Sequence, residues 1–363
     1  VKDAAEFKKA FNAVQALISE GKIQAGHDVG SGGLITTLLE MCFADNELAA
    51  EIDLTALAEE DLLKVLFAEN VAVVLQADQS IEDDLKAQGV RYAKIGTVTQ
   101  GEELILTHQG QTYRFNIAEC RDVWYLTSYL LDKQQTANDK ATERYQNYSE
   151  QPLQYTFPAH FTGEKPVRPQ GKRPVAAVIR EKGSNSEREM ANALYLAGFD
   201  VKDVHTTDLT SGRETLEEVQ FIGAVGGFSN SDVLGSAKGW AGALLYNEKA
   251  KKALDNFFAR PDTLSVGICN GCQLFMELEL INPEHSEHGK MKHNDSHKHE
   301  TGFVSVTIPE NNSVMLSTLA GTTLGVWISH GEGKFYLPME EKDYNIVGKY
   351  TYEGYPANPN GSD

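Results

Sequence analysis

Ser265-Val266-Gly267-Ile268-Cys269-Asn270-Gly271-Cys272-Gln273 decides the reading of this chain. A short β-branched strand runs through a small residue into a cysteine, then a glycine, and Gln273-Leu274-Phe275-Met276 begins a helix. A strand–turn–helix with a reactive residue at the turn is a nucleophile elbow, here with sulfur in place of a serine oxygen. The turn lifts the side chain above the sheet, and the helix N-terminus beneath it favours negative charge on the sulfur. Backbone N–H groups after the cysteine can then stabilise a tetrahedral oxyanion. Gly271 is required because a Cβ there would crowd the turn. Cys272, one helical turn on, is expected to face inward and be inert.

Two other readings of the cysteines remain open. A free cysteine is most often a small buried apolar group, although the flanking pattern argues against that for Cys269. Cys269-x2-Cys272 is also followed, twelve residues later, by His285, with His288, His293, His297 and His299 beyond. That approaches a Cys2His2 zinc spacing, and a non-catalytic Cys/His zinc module is kept as an alternative. Against it, the helix starts beside the cysteines, whereas a zinc finger puts them on a hairpin. Residues 282–301 also hold few apolar side chains to pack a finger, so the histidines read as a solvated loop. A Cys-x-x-Cys redox pair would want a thioredoxin-like unit that is not evident.

Outward from the elbow, strands and helices alternate. Val175–Ile179, 199–204, Phe221–Val225 and Leu264–Ile268 read as strands, with helices over 185–197 and 246–259. Apolar strands in that alternation imply an α/β fold with a mainly parallel sheet covered on both faces. From about residue 302 further strands follow. Val225-Gly226-Gly227-Phe228-Ser229-Asn230-Ser231-Asp232-Val233-Leu234-Gly235 ends one of the inner strands. Sites form at the carboxyl ends of parallel strands, so this loop is expected to meet the elbow and offer an N–H from the glycine pair.

Before residue 150 the pattern is mixed α+β. Phe7, Phe11, Val14, Leu17 and Ile18 recur at helical spacing over 4–20. His27-Asp28-Val29-Gly30-Ser31-Gly32-Gly33 is a glycine turn opening a helix over Leu34–Phe43. Val71–Gln76 reads as a buried strand, 103–108 and 112–117 as a hairpin, and 121–146 as helical. Pro152, Pro158, Pro166 and Pro169, with Pro174 at the edge, mark a linker. The expected organisation is a domain over 1–150, a linker over 151–172 and a second domain over 173–363.

Composition bounds the rest. The 363 residues suit two or three domains, and 41% hydrophobic with 23% charged residues is ordinary for a globular protein. Four cysteines in this length form no disulfide framework, which suggests a reducing, cytoplasmic setting. A net charge of −19, with 33 basic and 52 acidic residues and no basic cluster, argues against nucleic acid as partner. No apolar run reaches the roughly 18 residues of a membrane span. The chain begins at Val1, inside an amphipathic helix, and is expected to be a piece of something longer.

The stretch Gly267–Gln273 resembles the nucleophile motif of class I glutamine amidotransferases. Gly226–Gly235, Lys238-Gly239-Trp240-Ala241 and Trp327-Ile328-Ser329-His330-Gly331-Glu332-Gly333 narrow the resemblance to the phosphoribosylformylglycinamidine synthase family. His27–Leu34, Leu39-Glu40-Met41 and Trp124 resemble the end of the ATP-dependent synthetase region in the large single-chain form. The resemblance implies a flavodoxin-like glutaminase domain preceded by an α+β domain like the C-terminal domain of the aminoimidazole ribonucleotide synthetase fold. It further implies a ligase of purine biosynthesis. Glutamine is hydrolysed through a Cys269 thioester, with Gly227 and Asn270 N–H groups as the oxyanion hole and Gln273 helping to hold glutamine. The ammonia passes to formylglycinamide ribonucleotide, activated by ATP in the synthetase part of the same protein. Asp28 would bind magnesium, whose preference is for hard oxygen ligands, and Gly30 would contact ATP.

Three departures qualify this. Gly30 stands where the family often has serine, so an ATP contact there is through the backbone only. Val225 replaces a proline, and Asn230-Ser231 differs from the family's usual pair. The base for Cys269 is expected in a Pro-His-Pro-Glu segment that follows a Tyr-Pro-x-Asn-Pro-Asn-Gly-Ser run. Tyr355–Ser362 carries that run, and no Pro-His-Pro-Glu occurs, so the catalytic His and Glu are expected beyond Asp363 and this piece to be inactive alone. A different Cys-elbow hydrolase using His330, with Glu332 two residues on, is the remaining alternative.

Overall fold

The computed structural model describes residues 3–44, 47–78, 81–150, 153–164, 167 and 170–362. Pro152, Pro166 and Pro169 of the expected linker lie outside the described residues. The chain divides into two compact units, Val1–Leu130 and Leu131–Asp363.

The first unit opens with a helix, Ala4–Ser19, whose N-terminus is capped by Asp3 Oδ1 accepting from Ala5 and Glu6 N–H. Strand β1 (Ile23–Asp28) leads through the glycine turn into the helix Gly33–Cys42. Strands β2 (Leu48–Asp53), β4 (Gly96–Gln100), β5 (Glu103–His108) and β6 (Gln111–Asn116) form a sheet in the order β4-β2-β5-β6. Its core is Ile35, Leu38, Ile52, Leu104 and Leu106. β3 (Val73–Ala77) pairs antiparallel with β1 in a separate two-stranded ribbon.

Three expectations need correction here. The strand expected to be buried at Val71–Gln76 is not: Val71 and Val73 are 66% and 52% exposed, because a two-stranded ribbon has too few neighbours to cover both its faces. The apolar stripe of the first helix buries Ala13 and Leu17 but leaves Phe7 and Phe11 exposed, stacked on each other at 6.1 Å. The helical stretch is two helices, Ile117–Asp132 and Lys140–Asn147, broken where Asn138 and Asp139 take φ of 56° and 55°.

In the second unit, β7 (Val175–Arg180), β8 (Asp200–His205), β9 (Phe221–Ala224) and β10 (Leu264–Gly267) form an all-parallel sheet in the order β10-β9-β7-β8. That is the flavodoxin-like arrangement, in which the chain winds outward one way from the first strand and then returns to the other side. The alternation along β7 shows why both faces are buried. Ala177 and Ile179 join Ile222, Trp240, Phe257 and Leu274 on one face, while Ala176 and Val178 meet Leu194 and Phe221 on the other. Helices Lys238–Leu245, Glu248–Phe258 and Asn270–Glu277 contribute to the first cluster, and Glu187–Leu196 to the second.

The later strands do not extend this sheet. β12 (Glu300–Thr307), β13 (Thr323–His330) and β15 (Lys349–Tyr350) pair antiparallel in the order β13-β12-β15, and β11 (Lys290–Lys292) pairs with β14 (Lys334–Tyr336). Of the linker, Thr156 exchanges backbone hydrogen bonds with Thr323 at 3.1 and 2.9 Å. Residues 131–150, read from sequence with the first domain, belong to the second unit. The side chain of Glu300, 4% exposed, takes a 2.8 Å ion pair from Arg144 and a 2.8 Å hydrogen bond from Tyr355.

Candidate active site

β10 reaches the site by pairing with β9, and Ile268 N–H still donates to Ala224 O at 3.0 Å. The next residue leaves the ladder: Cys269 has φ 54° and ψ −110°, a conformation L side chains rarely adopt. The helix Asn270–Glu277 follows immediately, with Gln273 N–H donating to Cys269 O at 3.1 Å. Such a turn closes only without side chains beneath it. A Cβ on Gly271 would lie 2.1 Å from Ala224 O, and one on Gly267 2.5 Å from Gly271 O.

The Gly226–Gly227 loop and the elbow do meet. A Cβ on Gly226 would stand 3.3 Å from Cys269 Cβ and 3.9 Å from Sγ. Gly227, at φ 112°, lies against residues 183–185, where a Cβ would be 2.7 Å from Asn185 N. Among the described residues neither Gly227 N–H nor Asn270 N–H is spent on an intramolecular hydrogen bond. The loop beyond is strained, since Asn230, Ser231 and Asp232 take φ of 52°, 58° and 48° in succession.

Buried amides tie these pieces together. Asn270 Oδ1 accepts from Ser229 N–H at 3.1 Å, and its Nδ2 donates to Gln273 Oε1 at 3.0 Å and Asp232 Oδ1 at 3.3 Å. Gln273 Nε2 donates to Glu332 O at 2.8 Å, and Glu332 Oε1 accepts from Ser236 N–H at 3.3 Å. Both ends of the Gln273 side chain are therefore occupied, and it shapes the site by holding the Glu332 carbonyl.

The Cys269 thiol is exposed and lies 3.6 Å from Ser329 O, the penultimate residue of β13. Cys272 is different: burial, then the neighbouring Cys269, pushes its thiol up to about 11, which keeps it protonated and unreactive. His330 does not hydrogen-bond Sγ. Its Nδ1 faces Asn294 Oδ1 at 3.1 Å, and burial holds its imidazole below the ordinary value.

The segment expected to be a solvated histidine loop is largely structured. It contains β11, the start of β12, and the buried Asn294, Ser296 and Glu300, and His285 packs edge-on against Tyr344 at 5.0 Å. Asn294 and the Ser329 carbonyl were not evident from the sequence as parts of the site, and Glu332 was singled out only as a partner for His330. The Ser329–Gly333 motif marked that turn but drew attention to His330, and nothing local marked Asn294. The Tyr355–Ser362 run also serves this region, as Asn360 Nδ2 donates to Gly333 O at 2.6 Å and Phe335 N–H to Ser362 Oγ at 3.0 Å.

In the first unit, Asp28 ends β1 with its carboxylate 82% exposed, and the neighbouring His27 Nε2 lies 3.1 Å from Glu40 Oε2. Gly33 N–H donates to Gly30 O at 3.1 Å, and Gly32 N–H to Glu69 Oε1 at 3.0 Å. Among the described residues no group of three or more His, Cys, Asp or Glu is placed to hold a metal ion. No described helix is long and apolar enough to cross a membrane.

The elbow, the facing glycine loop and the parallel sheet define a glutamine amidotransferase class: residues 173–363 match the CobB/CobQ-like glutamine amidotransferase domain, and the chain belongs to that family. Residues 1–109 match the AIR synthase related protein, C-terminal domain. Among curated proteins the chain is 37% identical, over 391 positions, to the probable phosphoribosylformylglycinamidine synthase, chloroplastic/mitochondrial, of Arabidopsis thaliana. It is 35% identical over 397 positions to phosphoribosylformylglycinamidine synthase of Homo sapiens. These alignments take in 99% and 98% of this chain but only 27% and 29% of the relatives, so the chain spans under a third of their length. The solved structure of PurLQS from Thermotoga maritima matches 53% of this chain and 79% of its own at 26% identity, with a TM-score of 0.42.

Proposed function

We propose that this chain is the glutaminase-bearing part of a phosphoribosylformylglycinamidine synthase, with Cys269 as the nucleophile that takes ammonia from glutamine. One observation carries the reading: Cys269 sits in a left-handed elbow at a helix N-terminus, facing a glycine loop, with two unspent N–H groups on Gly227 and Asn270. Sγ, as thiolate, attacks the carboxamide carbon of glutamine. The carbonyl oxygen takes the negative charge and is received by those two N–H groups. The tetrahedral adduct expels the amide nitrogen, which leaves as ammonia after gaining a proton. Water then cleaves the glutamyl thioester, releasing glutamate and restoring the thiol. The proton carrier in this reading is a histidine paired with a glutamate; His330 is oriented through Nδ1 by Asn294, and the contact of Cys269 Sγ is with Ser329 O rather than with the His330 ring. Gln273 serves the glutamine pocket through Glu332.

The ammonia acceptor is formylglycinamide ribonucleotide, converted to the amidine in the synthetase part of the whole protein. Among the described residues the donors of the first unit do not form a closed metal cage. A single exposed carboxylate fits a magnesium ion that arrives with phosphate, since that ion keeps water and phosphate oxygens as most of its ligands. Asp28 would hold such an ion, and the Gly30 N–H would contact the nucleotide. Magnesium–ATP held there would supply the activation of the substrate amide oxygen. A reducing compartment such as the cytoplasm suits the four free cysteines.

The test is mass spectrometry after incubation with a glutamine-mimicking diazoketone, with and without glutamine. Labelling confined to Cys269 and blocked by glutamine is expected. Labelling of Cys120 or Cys272 instead, or indifference to glutamine, overturns the assignment. Sustained release of ammonia from glutamine by this chain, abolished by His330→Asn, would return His330 to the role of base.

A further inference from the structure

Asn294 is wholly buried within a segment whose sequence is polar throughout, and its amide is fully engaged. Oδ1 accepts from Gly333 N–H at 3.1 Å and faces His330 Nδ1 at 3.1 Å. Nδ2 donates to His330 O at 2.7 Å and to Lys298 O at 2.9 Å, while the Asn294 N–H donates to Gly331 O at 3.0 Å. One residue thus grips positions 330, 331 and 333. That turn delivers Ser329 O to the Cys269 thiol and Glu332 O to Gln273.

Asn294 is itself held from a segment that precedes the family-matched region. Ala137 N–H donates to Ser296 O at 2.9 Å, and Asn138 Nδ2 to Asp295 O at 2.7 Å. The Asp132 carboxylate pairs with Lys298 Nζ and lies 3.4 Å from Arg144. Residues 132–138 therefore fix residues 295, 296 and 298, the stretch immediately after the buried amide.

We infer that Asn294 is a positioning residue for the glutamine site, and that residues 132–138, outside the matched 173–363, shape the Ser329–Gly333 turn through it. What the turn serves rests on the glutaminase reading above; the mechanical link stands on the hydrogen bonds alone. A shift of the 132–138 segment changes where the 295–298 stretch sits, and Asn294 passes the change to three residues of the turn. Losing the amide removes one of the contacts of His330 O and the Asn294 contacts of Lys298 O and Gly333 N–H, a cost concentrated at the turn.

The experiment uses the full chain with Asn294→Ala, Asn294→Asp and Asp132→Asn. It reads hydrogen exchange by peptide and the protection of Cys269 from iodoacetamide by glutamine. Asn294→Asp keeps the shape and the acceptor oxygen but loses both Nδ2 bonds. It is expected to speed exchange across 329–333 and weaken glutamine protection, each about tenfold, while β7–β10 stay unchanged. Asp132→Asn is expected to move 294–298 and 329–333 in the same direction by a smaller factor. Unchanged exchange at 329–333 in Asn294→Asp, or an Asp132→Asn effect confined to 131–144, overturns the inference. If Asn294→Ala unfolds the unit, visible as faster exchange in β7–β10, the other two variants decide. If glutamine fails to protect wild-type Cys269, the glutaminase reading falls while the exchange data still decide the link.

Discussion

Cys269 holds a backbone shape that costs an L residue on the order of 1 kcal/mol, and its neighbours make room for it by having no side chains. Gly271→Ala is therefore expected to destabilise the second unit by about 2–4 kcal/mol, since its Cβ would meet a backbone oxygen that cannot swing away. Urea denaturation followed by tryptophan fluorescence measures this, and a loss below roughly 0.5 kcal/mol would show that the turn relaxes freely. His330 gives a pH signature. Burial lowers its imidazole below the ordinary value, so the unfolded chain binds more protons between the two values. The stability it contributes is present above about pH 6.5 and is lost as pH falls through the lowered value. His330→Asn is expected to flatten the fall in urea midpoint on acidification, relative to wild type. At this scale Cys269, Gly271 and the Gly226–Gly227 pair were legible because a few adjacent residues define the elbow and the loop. Asn294 was not, because its partners lie 36 and 39 residues away and it sits among lysines and histidines that read as surface.

The strand–helix alternation of β7 to β10 was legible because the inner strands β7 and β9 are apolar on both faces, a pattern that suits a parallel sheet with helices on either side and little else. The later strands were legible as strands but not as a separate antiparallel sheet, since pairing partners are set by distant residues rather than by local period. β3 misled for a related reason: a β-branched run states propensity, while exposure depends on what packs against it. The loop over 230–232 carries three successive left-handed residues, and no glycine marks it. Ser231→Gly is expected to relieve strain there and raise stability by about 0.5 kcal/mol, offset in part by the freer unfolded chain. A lower urea midpoint for Ser231→Gly would mean that the hydroxyl, not the backbone, governs this turn.

For the molecule as a whole, the boundary between units matters most. Residues 131–150 join the second unit by ion pairs and hydrogen bonds around the buried Tyr355. Arg144 faces a Glu300 side chain only 4% exposed, so removing its charge strands a buried carboxylate. Arg144→Met is expected to cost about 3–5 kcal/mol in that unit's unfolding, a double mutant with Glu300→Gln recovering much of it. Asp132 adds an acid sensitivity. Burial alone would raise its carboxyl, but Lys298, Thr136 and Arg144 outweigh that and hold it below the ordinary value. Its contribution is present above the usual carboxylate range and fades as pH falls through the lowered value. The proline-rich stretch reads locally as a linker, whereas the contacts of residues 131–150 are with residues about 150–210 positions away, which no local pattern announces.

The Asn358–Ser362 stretch sets a timetable for synthesis. Ribosomes deliver Cys269 long before the residues that brace Gly333 and Phe335. At translation speeds of about 5–20 residues per second the thiol waits for seconds with its pocket wall unsupported. A nascent chain of this kind carries the Cys269 elbow on a finished sheet, while the Gly333–Phe335 stretch gains its braces only when residues 358–362 emerge.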